Sequence, residues 1–161
     1  DGFVRYTGGG FDAIVSVVDD RGGAVTPEAQ GRTWTGGAAY TLGDWRVTGG
    51  YLYMQDRSGA NQSGTGAWIG MAYSFGASLV KVQYVENNPR YLDDAKTQAL
   101  GLGYEYSFSK RTTLYSALTH FKNEDNAAGG NGRASFNMPA NFGSAEANDY
   151  TEVVAGMRFR F

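Results

Sequence analysis

The chain has 161 residues with 14 basic and 16 acidic side chains, a near-balance that offers no basic face for nucleic acid and no acidic tail. Its 24 glycines are about twice the usual share of ~7%, yet only 3 prolines accompany them and 14% of residues are aromatic, which excludes collagen and a flexible low-complexity polymer. Zero cysteines removes disulfide staples, thiolate catalysis and Cys-type zinc sites, and the longest run free of polar residues, 66–73, falls far short of the roughly 20 residues a membrane helix needs.

A mean hydropathy of −0.40 fits a soluble chain and a membrane β-barrel equally well, because only alternate barrel residues meet lipid. Periodicity decides instead. Residues 1–7 read as the lower part of a strand leading into Gly8-Gly9-Gly10. Residues 11–19 and 32–42 follow as strands. From Trp45 the alternation is clear, with Trp45, Val47, Tyr51 and Tyr53 on one face and Arg46, Thr48 and Gly50 on the other. Residues 65–75 form the next segment, and after it Val80, Val82 and Tyr84 oppose Lys81 and Gln83. Leu100, Leu102, Tyr104, Tyr106 and Phe108 oppose Gly101, Gly103, Glu105 and Ser107. In residues 112–122 the parity is open, since Leu114 and Leu118 compete with Tyr115 and Phe121 for the apolar side. The last segment sets Val153, Ala155, Met157, Phe159 and Phe161 against Glu152, Gly156, Arg158 and Arg160. Eight strands result, and no window carries a 3.6-residue period.

The connections sort into two alternating classes. Leu42-Gly43-Asp44-Trp45, Phe75-Gly76-Ala77-Ser78 and Phe108-Ser109-Lys110-Arg111 are tight hairpin sequences. Residues 19–31, 56–64, 87–94 and 123–149 are long, polar and rich in Gly, Asn and Asp. Short turns at one end and long loops at the other are the pattern of an all-β, antiparallel transmembrane barrel. Aromatic and large apolar side chains gather where strands meet the short turns: Phe11, Leu42, Trp45, Tyr73, Phe75, Tyr106, Phe108, Phe159 and Phe161. Amphipathic rings prefer the headgroup zone, so this cluster reads as one girdle of a membrane barrel.

The closing segment Val153-Val154-Ala155-Gly156-Met157-Arg158-Phe159-Arg160-Phe161 resembles the final strand of Gram-negative general porins. The hairpin sequence Gly101-Leu102-Gly103-Tyr104-Glu105-Tyr106-Ser107-Phe108-Ser109-Lys110-Arg111-Thr112, with Leu114-Tyr115 after it, resembles the porin hairpin that precedes it. The likeness is densest over residues 95–161 and becomes pattern alone before that. It implies a trimeric, water-filled pore of sixteen strands in the outer membrane of a Gram-negative cell. It further implies that the terminal aromatics Phe159 and Phe161 are the signal read by the barrel-assembly machinery. Eight strands are half of sixteen, and a complete barrel does not begin partway down a strand. The expectation is therefore the C-terminal half of a porin, residues 1–161, with no second domain. The constriction loop of the family belongs to the other half.

Taken at face value, the alternation turns Arg5, Asp12, Arg46, Lys81, Glu105, Glu152, Arg158 and Arg160 toward the lumen, five basic residues against three acidic. Fixed charge in a pore selects its counter-ion, so the excess predicts a channel for small hydrophilic solutes and ions with a mild anion preference. Solvation of a wet wall, or salt bridges between strands, is the competing account of these charges. Gly37, Ala39, Thr41, Gly50, Gly70, Ala72, Ser74, Gly101 and Gly103 share that face, and small side chains suit a wide barrel better than a narrow, filled one.

No catalytic constellation emerges, and the chain reads as neither an enzyme nor a cofactor protein. His120 is the single histidine and lacks a serine at a useful strand spacing beyond Ser116. Asp19-Asp20, Asp93-Asp94 and Glu124-Asp125 lack the oxygen spacing of a calcium loop, so no metal site is assigned. The expected partners are outer-membrane lipid and lipopolysaccharide, two further copies of the chain in a homotrimer, the assembly machinery and the permeating solutes. Two alternatives remain open: a complete eight-stranded outer-membrane barrel with a structural or adhesive role, and a soluble lipocalin-type barrel with its apolar alternation inward.

Overall fold

A computed structural model describes residues 1–21, 30–57, 63–90, 93–124 and 149–160. These residues form one antiparallel sheet of nine strands in sequence order: β1 (Gly2–Gly8), β2 (Phe11–Arg21), β3 (Gln30–Leu42), β4 (Trp45–Asp56), β5 (Gly64–Phe75), β6 (Ser78–Pro89), β7 (Thr97–Ser107), β8 (Thr112–Asn123) and β9 (Tyr150–Phe159). The eight expected strands are β2 to β9, and β1 is the N-terminal segment that the sequence marked as part of a further one. Every strand pairs with its sequence neighbour. Apart from β1 the strands hold 10 to 13 residues, enough to cross a bilayer at a tilt.

Several strands run past the ends that alternation suggests. β4 extends to Asp56, β6 to Pro89, β7 begins at Thr97 and β9 at Tyr150. The added residues include Gln55, Asn87, Asn88 and Gln98. At that end both faces turn polar, so the period-2 signal fades while the backbone ladder continues.

The turns at the opposite end are tight. Gly9 and Gly10 both have positive φ, 59° and 81°, as a type I′ hairpin requires, while Gly43 and Gly76 (57° each) occupy the first central position, where a type II′ turn asks for glycine. Each short turn is stitched to the following hairpin. Thr41 N–H donates to Gly10 C=O at 2.8 Å, Ser74 to Asp44 at 2.9 Å, Ser107 to Ala77 at 2.8 Å and Arg160 to Arg111 at 2.9 Å. A Cβ on Gly10 would stand 2.6 Å from the Thr41 carbonyl oxygen, so this stitch excludes any side chain there. The longer connections, 22–29, 57–63, 90–96 and 124–149, all lie at the other end. Most of their residues are outside the described set, including Asp125 and nearly all of 123–149.

The sheet is a single layer without a conventional core. Among the described residues the buried apolar side chains are Ala39, Ala95, Ala99 and Phe121, whereas Val4 is 76% exposed, Val153 73%, Leu42 66% and Met157 62%. The edges are β1 and β9, and no pairing joins β2 to β9 or β1 to β9 among the described residues. An eight-stranded barrel closed by those pairs, the condition for the complete small barrel, is not formed. A lipocalin-type enclosure of the apolar face is not formed either.

Candidate functional site

Antiparallel register carries side-chain direction across the whole sheet, because directly opposed residues point to the same side. Starting from Arg5, opposite Ile14, one side collects Asp12 (opposite Thr7 and Ala39), Arg46 (opposite Thr41 and Ala72), Lys81 (opposite Gly103), Glu105 (opposite Leu79 and Tyr115), Glu152 (opposite Thr119) and Arg158 (opposite Thr113). Arg160 lies one residue beyond β9 in the same parity. All eight charges assigned to one side from sequence therefore share one face, here termed the polar face. Gly37, Ala39, Thr41, Gly50, Gly70, Ala72, Ser74, Gly101 and Gly103 share it.

Depth adds a second regularity. Arg5, Asp12, Arg46, Lys81, Glu105, Arg158 and Arg160 all stand within a few residues of the short turns, while Glu152 stands farther up β9. The charges form a belt at the short-turn end, and above it glycine, alanine and threonine are interspersed with large side chains such as Leu52, Trp68, Val85 and Phe121.

The belt is partly self-neutralised. Arg5 donates from Nε and Nη2 to Asp12 Oδ1 and Oδ2 at 2.9 and 2.7 Å, a two-pronged pair, and the Thr7 hydroxyl adds a bond to Oδ1 at 3.3 Å. Lys81 is ion-paired with Glu105 on the adjacent strand. The inter-strand salt bridges anticipated for this face thus exist, but neither involves Glu152. Arg46 donates from Nη1 to Thr41 Oγ1 at 3.0 Å, and Arg158 lies over the Tyr115 ring at 6.0 Å. Among the described residues Arg46, Arg158 and Arg160 have no acidic partner, and Glu152 has no basic one. Arg46, Arg158 and Arg160 leave the belt at the short-turn end net positive, while Asp56 and Glu152 stand on the same face toward the loop end.

Several aromatic side chains on the polar face escape the sequence pattern, Trp68 and Tyr115 among them. The Trp68 indole occupies the space where a Cβ on Gly50 would sit, and Gly37, one strand farther, lies 3.3 Å from its Cζ2 by the same measure. Tyr115 covers Gly156 in the same manner. The signal for Trp68 exists in the sequence, since it shares parity with Gly70 and Ala72, but an unbroken apolar run hides it. The open parity of residues 112–122 is settled by β7 and β9. Leu114 and Leu118 pair with Tyr106 and Leu102 on the apolar face, while Tyr115 and Phe121 turn to the polar one, where Phe121 stacks on Tyr150 at 4.5 Å.

The apolar face has its own order. At the short-turn end Tyr6 meets Phe11 (6.2 Å), Trp45 meets Tyr73 (4.3 Å) and Tyr73 meets Phe75 (5.7 Å). Phe159 joins this band from β9, 54% exposed, while Phe161 lies outside the described residues. At the loop end Trp34 and Tyr53 are register partners. The charged groups of this face gather there: Asp19 accepts from Arg32 (3.1 Å) and Arg57 (3.3 Å), and Glu86 accepts from Tyr84 (2.9 Å) and Gln98 (3.2 Å) with Lys96 at 3.5 Å. Arg90 lies over Tyr53 at 5.6 Å. His120 on this face shares a hydrogen bond with the Thr151 hydroxyl at 3.0 Å. No group of metal-ligating side chains is assembled among the described residues.

A family model described as Gram-negative porin matches residues 1–126, which takes the likeness well upstream of residue 95, where the residues alone gave pattern. The outer membrane porin protein 32 of Delftia acidovorans is 28% identical over 130 residues, covering 77% of this chain and 36% of that protein. An anion-selective porin from Comamonas acidovorans superimposes with a TM-score of 0.78 at 23% identity, over 99% of this chain and 48% of the other. A second solved porin gives 0.60 at 21% identity, over 75% and 45%. The chain spans between about a third and a half of the length of the porins it matches.

Proposed function

The chain belongs to the Gram-negative porin family, and from that premise we propose that it forms roughly half the wall of a sixteen-stranded, water-filled barrel, its polar face lining the pore. It is a protein of the Gram-negative outer membrane, and its family and fold are those of a channel rather than an enzyme. The pore passes small hydrophilic solutes by diffusion and mildly favours anions. The carrying observation is the polar face itself: a single layer whose one side is exposed and apolar, and whose other side holds Arg46, Arg158 and Arg160 without acidic partners among the described residues. Exposed Val, Leu and Phe are stable facing lipid, and unpaired arginines are stable facing water. A cationic wall raises the local concentration of anions and lowers that of cations.

The two sheet edges, β1 and β9, support the larger barrel, since unpaired strand edges in a bilayer must be closed by further strands. The chain serves as the C-terminal half, and selectivity is shared with a constriction supplied by the other half. Arg5, Asp12, Lys81, Glu105 and Glu152 complete the lumenal charge set. Phe159, together with Phe161, is the assembly signal, and Arg32, Arg57 and Arg90 at the loop-end rim face the phosphates of lipopolysaccharide. The pore works as a homotrimer without enzymatic activity.

The complete protein, reconstituted in a planar bilayer under a potassium chloride gradient, tests the reading. The zero-current potential is expected on the chloride side of zero. A potential of potassium sign overturns the anion preference, and absence of conductance overturns the pore. An unboiled gel is expected to show a species of three barrels; a monomer overturns the trimer.

A further inference from the structure

We infer that the pore wall carries a binding subsite for small carboxylates with a flat apolar body, built from Trp68 and Arg5. This rests on the polar face being lumenal. A hollow of about 300 Å³ lies on the sheet, lined by Arg5, Asp12, Ile14, Ala39 and Trp68 over the backbone of Gly37 and Gly49. That is the low end of the volumes that hold small molecules, about 300–1,000 Å³.

Its construction is specific. β3 and β4 bring two glycines, Gly37 and Gly50, into register, and β5 sets Trp68 opposite Gly50. The missing side chains form a seat for the indole, and any Cβ at Gly50 would collide with its ring. A tryptophan so seated leans along the wall toward β2 and β1 instead of standing up into the channel. Ile14 and Ala39 extend the apolar floor, 40% and 8% exposed. Water hydrates an apolar floor with an aromatic wall poorly, and another such hollow on the same face, with Val85, Tyr115, Phe121 and Val154, is lined by Glu152 and by no cation.

Arg5 closes the other side. Its Nε and Nη2 are engaged by Asp12, which fixes the guanidinium plane, while Nη1 has no partner among the described residues and the side chain is more than half exposed. A fixed guanidinium with a free edge is suited to a carboxylate oxygen. The neighbouring Asp12 neutralises bulk attraction, so a simple ion gains little here. A solute gains only if its body also covers the indole and Ile14. The geometry therefore selects an arylcarboxylate such as benzoate over acetate, which lacks the body, and over benzyl alcohol, which lacks the charge.

The test uses the complete protein in planar bilayers at fixed chloride. Benzoate is expected to reduce chloride current saturably, with acetate and benzyl alcohol giving no saturable reduction. Trp68→Ala should weaken the benzoate effect about fivefold or more, while Trp68→Phe retains most of it. Replacing the charge pair together, Arg5→Gln with Asp12→Asn, should also weaken it without leaving a lone carboxylate. Normal chloride conductance with no saturable benzoate effect, or an effect unchanged in Trp68→Ala, overturns the subsite and leaves the pore reading intact. If the protein forms no conductance, the pore reading fails by itself. Calorimetric titration of benzoate into the detergent-folded protein and its Trp68→Ala variant then decides the subsite, and equal or absent heats overturn it.

Discussion

On the apolar face, Val82, Leu102 and Leu118 stand side by side at mid-strand with no charge near them, whereas directly behind them the polar face carries Lys81, Gly103 and Ala117. The two faces share every backbone hydrogen bond, so their difference is entirely one of side chains and of the medium each must meet. A lipid-facing position has no means of solvating an added charge; a wet wall solvates it at little cost. The faces should therefore respond to the same substitution in opposite ways.

The sharpest test of that asymmetry is a pair of arginines. Leu102→Arg is expected to cost about 2–4 kcal/mol of folding stability, read by urea titration of the protein in lipid vesicles. Ala117→Arg, its neighbour behind the sheet, should leave stability nearly unchanged and lower single-channel conductance instead. Equal losses at both positions would break the assignment of faces.

Glycine on the polar face provides the second test, because a wet wall tolerates charge yet still packs Trp68 on Gly50. Gly50→Ala is expected to cost about 1–3 kcal/mol through overpacking against the indole. Combining it with Trp68→Ala should recover most of that loss. If Gly50→Ala is neutral by itself, the indole does not occupy this seat.

Selectivity comes next in size. Arg158→Gln removes one of the three cations without acidic partners among the described residues; an anion passing about 10 Å away in water would lose roughly 0.4 kcal/mol of attraction and a cation as much repulsion, about fourfold in the anion-to-cation permeability ratio before salt screening. Arg46→Gln should act similarly, and a shift of the zero-current potential is the readout. The smallest effect belongs to Lys81→Met, which breaks the Lys81–Glu105 pair. An exposed pair of this kind contributes about 0.2–1 kcal/mol, and the freed Glu105 should move selectivity toward cations.

Much of this architecture is legible without coordinates. Alternation in Trp45–Asp56 and Thr97–Ser107 places each residue on its side, since a pleated strand has no other option. The glycine-bearing turns at 9–10, 43–44 and 76–77 carry their own backbone chemistry. Thr112–Asn123 was not legible, because leucines occupy one parity and aromatics the other; only the register with β7 and β9 separates them. Trp68 was hidden in an apolar run, and its partnership with Gly50 is a contact between strands, which no single strand records.

The sequence by itself determined the strand number to within one, the position of the short turns and the identity of the polar face. These are local properties, fixed by a two-residue period and by turn residues that reverse the chain. The tertiary structure alone decided which charges cancel, since Arg5 meets Asp12 across a hairpin and Lys81 meets Glu105 across β6 and β7. It also decided that two glycines become the seat of a tryptophan. Such properties depend on register between strands, where a shift of one residue would exchange the faces and separate every pair.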